Sequence, residues 1–219
     1  MGPIRAAACA VVVAAFAASV MGCTASDGEP KASPSVKRPT VDLTEACPGL
    51  ISDAAGQALK DVLQSSHLAN DDGQTVGVTA VGKGLEAAYR AGPKAREAAV
   101  PSCRVTGIVG SGKRVGELRF AGDAGGGGTA DRTGVQVTRA DKERGVSFDC
   151  VSRRAGSTRE SPLRITAVYK DLYLNSRGDA ELGEDYVTLA HSAALAVAKD
   201  LGCEADGGLP AAASALPKA

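Results

Sequence analysis

The sequence predicts an α+β domain: an antiparallel sheet covered on one face by helices and stapled by two disulfides. Three observations carry that prediction. Between residues 103 and 170, successive short runs alternate apolar and polar side chains, the period of half-buried strands. Residues 52–65 and 184–201 instead repeat their apolar side chains every three or four positions, the period of amphipathic helices. Strands grouped between helices, and not interleaved with them, indicate a sheet with helices on one side. The third observation is an even set of four cysteines spread through the same region.

The elements follow in order. In 52–65, Ala55, Leu59, Val62 and Leu63 share one face, and Ser52 stands where an N-cap belongs. In 75–81, Val76 and Val78 alternate like a short strand. Residues 84–90 and 93–99 read as short helical pieces, with Pro93 in a first turn. Residues 103–109 are β-rich, and Gly110-Ser111-Gly112-Lys113 is turn chemistry. In 115–120, Leu118 and Phe120 oppose Glu117 and Arg119, and residues 125–128 form a glycine loop. Further alternation follows at Val135 and Val137, then at Val146, Phe148 and Cys150. In the last run Leu163, Ile165, Ala167 and Tyr169 oppose Arg164, Thr166, Val168 and Lys170. The last helix, 184–201, carries the stripe Val187, Ala190, Ala194, Val197 and Leu201, and Gly202 ends it. Its many alanines let it lie close to a sheet.

Residues 1–22 read as an export leader. Arg5 supplies the positive start, and the apolar run 6–20 is shorter than the roughly 20 residues of a membrane span. The run ends in Val20-Met21-Gly22-Cys23, which resembles a bacterial lipobox. That resemblance implies cleavage before Cys23 and a diacylglycerol on its sulfur, with fatty chains such as palmitate. Residues 23–43 are rich in Pro, Ser and Lys and read as a disordered tether. Residues 44–208 form a single domain, and the Pro/Ala-rich 209–219 reads as a flexible tail.

Of six cysteines, Cys9 falls in the leader and Cys23 takes the lipid. Cys47, Cys103, Cys150 and Cys203 remain, and an even count outside the cytoplasm reads as two disulfides. No CxxC spacing exists, so no metal site is expected. Three pairings are open. Cys47–Cys103 with Cys150–Cys203 is preferred, because each joins a helix end to a strand; the rival is Cys47–Cys203 with Cys103–Cys150.

These features together (the lipobox, the tether, Cys47-Pro48-Gly49-Leu50, Cys103-Arg104-Val105 and Leu201-Gly202-Cys203) are similar to small cell-envelope lipoproteins of actinobacteria. The resemblance implies a two-disulfide α+β domain on the outer face of the cell membrane, in a non-enzymatic role, and it transfers no catalytic residue.

The charge is balanced, 25 basic against 25 acidic side chains, which excludes a nucleic-acid partner as a whole-chain reading. Residues 132–164 carry eight basic side chains against four acidic ones, and a surface for anionic wall polymer is one expectation there. No cofactor is expected. The stretch Gly107-Ile-Val-Gly-Ser-Gly-Lys-Arg114 nearly spells a phosphate loop, but Arg114 stands where Ser or Thr would hold Mg²⁺, so it reads as a hairpin turn. Asp179, Glu181, Glu184 and Asp185 precede and enter the last helix, where they suit its positive end. Of the two histidines, His67 reads as a loop residue. His191, on the edge of the last helix's apolar stripe, is the candidate ligand contact. It also supports the alternative of an envelope hydrolase using Ser192 or Ser176, although neighbouring residues on a helix point apart. The favoured expectation is a lipid-anchored domain without catalysis that binds an envelope protein or an anionic wall polymer.

Overall fold

In a computed structural model, residues 40–69, 76–92, 100–124, 134–140, 142–173 and 182–218 are described. The described residues begin with α1 (Leu43–Ala46) and α2 (Asp53–Leu63), then β1 (Leu68–Ala69) and α3 (Val78–Ala91). Next come β2 (Cys103–Val109), β3 (Gly112–Ala124), β4 (Gln136–Ala140), β5 (Glu143–Cys150) and β6 (Leu163–Asp171). They close with α4 (Gly183–Leu201) and two short 3₁₀ turns, Glu204–Gly208 and Ala213–Ala215. The six strands form one antiparallel sheet in the order β1-β2-β3-β6-β5-β4, with α2, α3 and α4 packed against it, the α+β architecture expected.

The period-two runs explain the two faces. Along β6, Leu163, Ile165, Ala167 and Tyr169 are buried under the helices with Val146 and Phe148 of β5 and Leu118 and Phe120 of β3. On the other face the register sets Arg104, Glu117, Lys170 and Glu143 side by side across four strands, alternating in sign. Lys170 meets Glu143 at 3.5 Å, while Arg104 and Arg119 reach Glu117 at 3.4 and 2.6 Å. Burial pushes the Glu117 carboxyl up, but Arg119, the Ser102 hydroxyl and Arg104 together outweigh it and hold its pKa below the ordinary glutamate value.

Both disulfides pair as preferred from the sequence: Cys47 with Cys103, and Cys150 with Cys203. They close loops of 56 and 53 residues in sequence separation, and chain entropy assigns about 4 kcal/mol to each.

The helix and hairpin ends follow their signals. Ser52 caps α2, its Oγ accepting from Ala55 N at 3.3 Å. Gly110 turns the β2–β3 hairpin with φ +56°, so Gly107 to Arg114 is strand, turn and strand, as read.

Two readings are corrected. Residues 75–81 hold no short strand among the described residues. Val78, Val81, Leu85 and Ala88 are spaced for one helix, α3, which also absorbs residues 84–90; 93–99 lies outside the described residues. The adjacent valines imitate alternation locally, while the longer period decides. The segment from 209, read as a flexible tail, packs as a strap: Leu209 and Leu216 are buried in the core. The turn into the strap is left-handed at Ala205 (φ 49°) and Asp206 (φ 52°), a conformation costing roughly 1–2 kcal/mol per non-glycine residue. It is held between the Cys150–Cys203 bridge and the seating of Leu209.

Candidate functional site

The site is built on α4. Residues Thr188, His191, Ser192, Leu195, Ala196 and Lys199 recur every three or four positions, so they lie along one side of the helix over about 16 Å at 1.5 Å per residue. That side forms the floor of a groove of about 450 Å³. The start of α2, through Ser52, Ala54 and Ala55, and the strap, through Ala211, Ala212 and Ala213, supply the rest of its lining. The groove exists because these positions are small: methyl groups leave space that larger side chains would fill.

His191 is only 4 % exposed. Its Nε2–H donates to Pro210 O at 2.8 Å, which pins the strap to the helix. Burial lowers its pKa below the usual histidine value, and the Pro210 contact opposes this only in part. Ser192 is 8 % exposed, and its hydroxyl is consumed in tying α4 to α2. It donates to Leu50 O at 3.1 Å, accepts from Ser52 N at 2.8 Å, and lies 3.2 Å from Ser52 Oγ. The two residues therefore face different neighbours: His191 the strap, Ser192 the start of α2. Ser176, the other hydroxyl considered, lies outside the described residues, as does Cys23.

At its far end the groove reaches Lys199, which also lines a second cavity, an open cleft of about 820 Å³ between the 151–160 loop and the end of α4. An ion network underlies it. Arg154 bonds Asp200 Oδ2 at 3.0 Å, Asp200 O at 2.7 Å and Glu86 Oε2 at 3.1 Å. Asp200 comes this close to α3 because Gly82 has no side chain: a Cβ there would sit 2.3 Å from Asp200 Oδ2. Arg159 pairs with Glu204 at 2.9 Å. Arg153 and Lys199 are exposed and carry no ion pair among the described residues.

Of the basic side chains of 132–164, Arg153, Arg154 and Arg159 line the cleft, and Arg132 lies outside the described residues. Arg139 bonds Glu184 at 2.9 Å, Arg164 bonds Asp149 at 3.0 Å, and Lys142 donates to Tyr173 O. Glu184 and Asp185 occupy the first turn of α4, while Asp179 and Glu181 lie outside the described residues. His67 is exposed beside Ser66. Among the described residues no three His, Cys, Asp or Glu side chains converge as metal ligands, and no helix is long and apolar enough to cross a membrane.

Sequence reasoning singled out His191 but missed Lys199, Ser52 and the strap alanines as its companions in the groove. A signal for Lys199 was present, since it continues the 188–191–195–199 spacing. None existed for Ala211, Ala212 and Ala213, which are brought there by the fold.

Fold and site together define a disulfide-stapled α+β domain with a small-residue groove opening onto a charged cleft. The chain matches no protein-family model, no curated protein and no solved structure.

Proposed function

We propose that this chain is a lipoprotein anchored through Cys23 on the outer face of the cell membrane. Its domain acts there as a non-enzymatic binding module of the cell envelope, with the α4 groove and adjoining cleft as its binding surface. The observation that carries this reading is the cysteine economy. All four cysteines beyond the leader and the lipobox are joined in two buried bridges, which fits an oxidising compartment. The partners considered are an envelope protein or an anionic wall polymer, which would meet Arg153 and Lys199 at the cleft.

The hydrolase alternative gains no support from the site. A nucleophilic serine needs a base within hydrogen-bond reach. The Ser192 hydroxyl already donates to a backbone carbonyl, and the His191 Nε2–H points to the strap.

Metabolic labelling with an alkyne fatty acid tests the anchoring. The expected result is a labelled, membrane-associated chain, and a Cys23→Ser chain that is unlabelled and released. An unlabelled wild-type chain with four titratable thiols would overturn the reading. An esterase and peptidase screen tests the second half: turnover abolished by His191→Ala in a folded chain would replace the binding role with catalysis.

A further inference from the structure

We propose that the α4 groove and the cleft form one amphiphile-binding site, taking a molecule with a linear aliphatic chain and an anionic carboxylate or phosphate head. The inference deepens the binding-module reading and rests on it.

Three features select this ligand class. First, the groove follows α4 from Thr188 to Lys199 and is lined mainly by methyl groups: Ala54, Ala55, Ala196 and the strap alanines, with Leu195. Its volume, about 450 Å³, lies within the range of small-molecule sites. Small aliphatic walls suit an unbranched chain, and among the described residues neither cavity is lined by a Phe, Tyr or Trp on which a sugar or base would stack.

Second, the hydroxyl and imidazole groups along the groove are already bonded within the protein. Ser192 is held by Leu50 and Ser52, Thr188 Oγ1 donates to Glu184 O, and His191 Nε2 is held by Pro210. Such a lining makes few demands on a polar ligand and tolerates an apolar one.

Third, the polarity changes abruptly at one end. Lys199 lines both cavities, and beyond it the cleft holds Arg153, Arg154 and Arg159 against Glu160, Asp200 and Glu204. Arg154 is shared between Asp200 and Glu86, Glu86 also pairs with Arg90, and Arg159 pairs with Glu204. Arg153 and Lys199 carry no ion pair among the described residues, and Glu160 is the one lining carboxylate left outside the ion pairs named. The uncompensated charge at the mouth of the apolar groove is positive. An apolar trough ending at Lys199, with Arg153 in the adjoining cleft, is complementary to a chain with an anionic head.

The test is calorimetric titration of the full chain carrying Cys23→Ser, so that its own acyl groups do not compete. The probes are decanoate and decyl phosphate below their micelle concentrations, with decanol, decyltrimethylammonium and inorganic phosphate as controls. Both anionic amphiphiles should bind one to one. Decanol should bind about tenfold more weakly, the ammonium amphiphile more weakly still, and phosphate alone not measurably. The ratio of the decanoate and decyl phosphate affinities reads whether a fatty-acid or a phospholipid type of head is preferred.

Lys199→Glu, at an exposed position, should weaken both anions about tenfold and leave decanol unchanged. Ala196→Phe should fill the groove and abolish all three, with an unchanged unfolding midpoint confirming the fold. No binding of either anion, equal affinity for anionic and cationic heads, or unaltered binding in Lys199→Glu would overturn the proposal. The anchoring reading would be untouched by such a failure, because fatty-acid labelling at Cys23 tests it separately.

Discussion

His191 with Ser192, in the middle of α4, and Lys199, two turns further on, line the same groove but stand in opposite physical situations. The first two are buried; His191 Nε2 is bonded to backbone on the strap, and the Ser192 hydroxyl to backbone just before α2. Lys199 is exposed, with no ion pair among the described residues. Residue types that look reactive in a sequence are here spent on holding three segments together. The residue that looks like an ordinary last-turn lysine is the one left available to a ligand. Burial of a polar group demands an internal partner, so a buried and satisfied group has little left to offer.

The sharpest way to break this comparison is to release the strap that helps form the groove. Replacing Cys150 and Cys203 together by Ala should cost about 4 kcal/mol in urea unfolding, through the entropy returned to the unfolded chain. A loss below about 1 kcal/mol would mean that buried Leu209 and Leu216 hold the strap unaided.

The next effect separates the two constellations directly. Ser192→Ala leaves Ser52 N and Leu50 O without their side-chain partner and should cost about 1–3 kcal/mol. Lys199→Ala should change stability by no more than about 0.5 kcal/mol. Equal losses in the same denaturation series would erase the distinction drawn here.

The smallest expected effect is in the pH dependence. Because the folded-state pKa of His191 is lowered, the folded form binds fewer protons than the unfolded form. Its contribution to stability is therefore complete above the ordinary histidine value of about 6.5, and is lost as pH falls through the lower folded value. Denaturation at pH 7.5 and at pH 5 should show a smaller drop for His191→Gln than for wild type. Parallel drops would place His191 in water, not under the strap.

Much of the frame was legible in advance because it depends on local periodicity. The alternation in 163–170 sets one face of β6 against the helices. The stripe in 184–201 becomes the packed side of α4, and Ser52 caps α2 as its position suggested. Where a local pattern misled, a longer-range one had won. Val76 and Val78 alternate over three residues, but Val78, Val81, Leu85 and Ala88 bury one side of a helix over eleven. The strap was illegible for a different reason. Its Pro/Ala composition carries little packing drive of its own, and it is held because α4 and the core offer seats for Leu209 and Leu216 and a donor for Pro210 O.

The sequence by itself determined the layer class, because strand and helix periods are written into consecutive side chains. It also determined the even set of four cysteines. Tertiary structure alone decided which cysteine met which, since pairing depends on Cα separations of 5.9 and 5.0 Å between residues more than fifty positions apart. It also decided that His191 and Ser192 are bound while Lys199 is open. Both outcomes depend on which surfaces come to lie together, and that is a property of the packed chain as a whole.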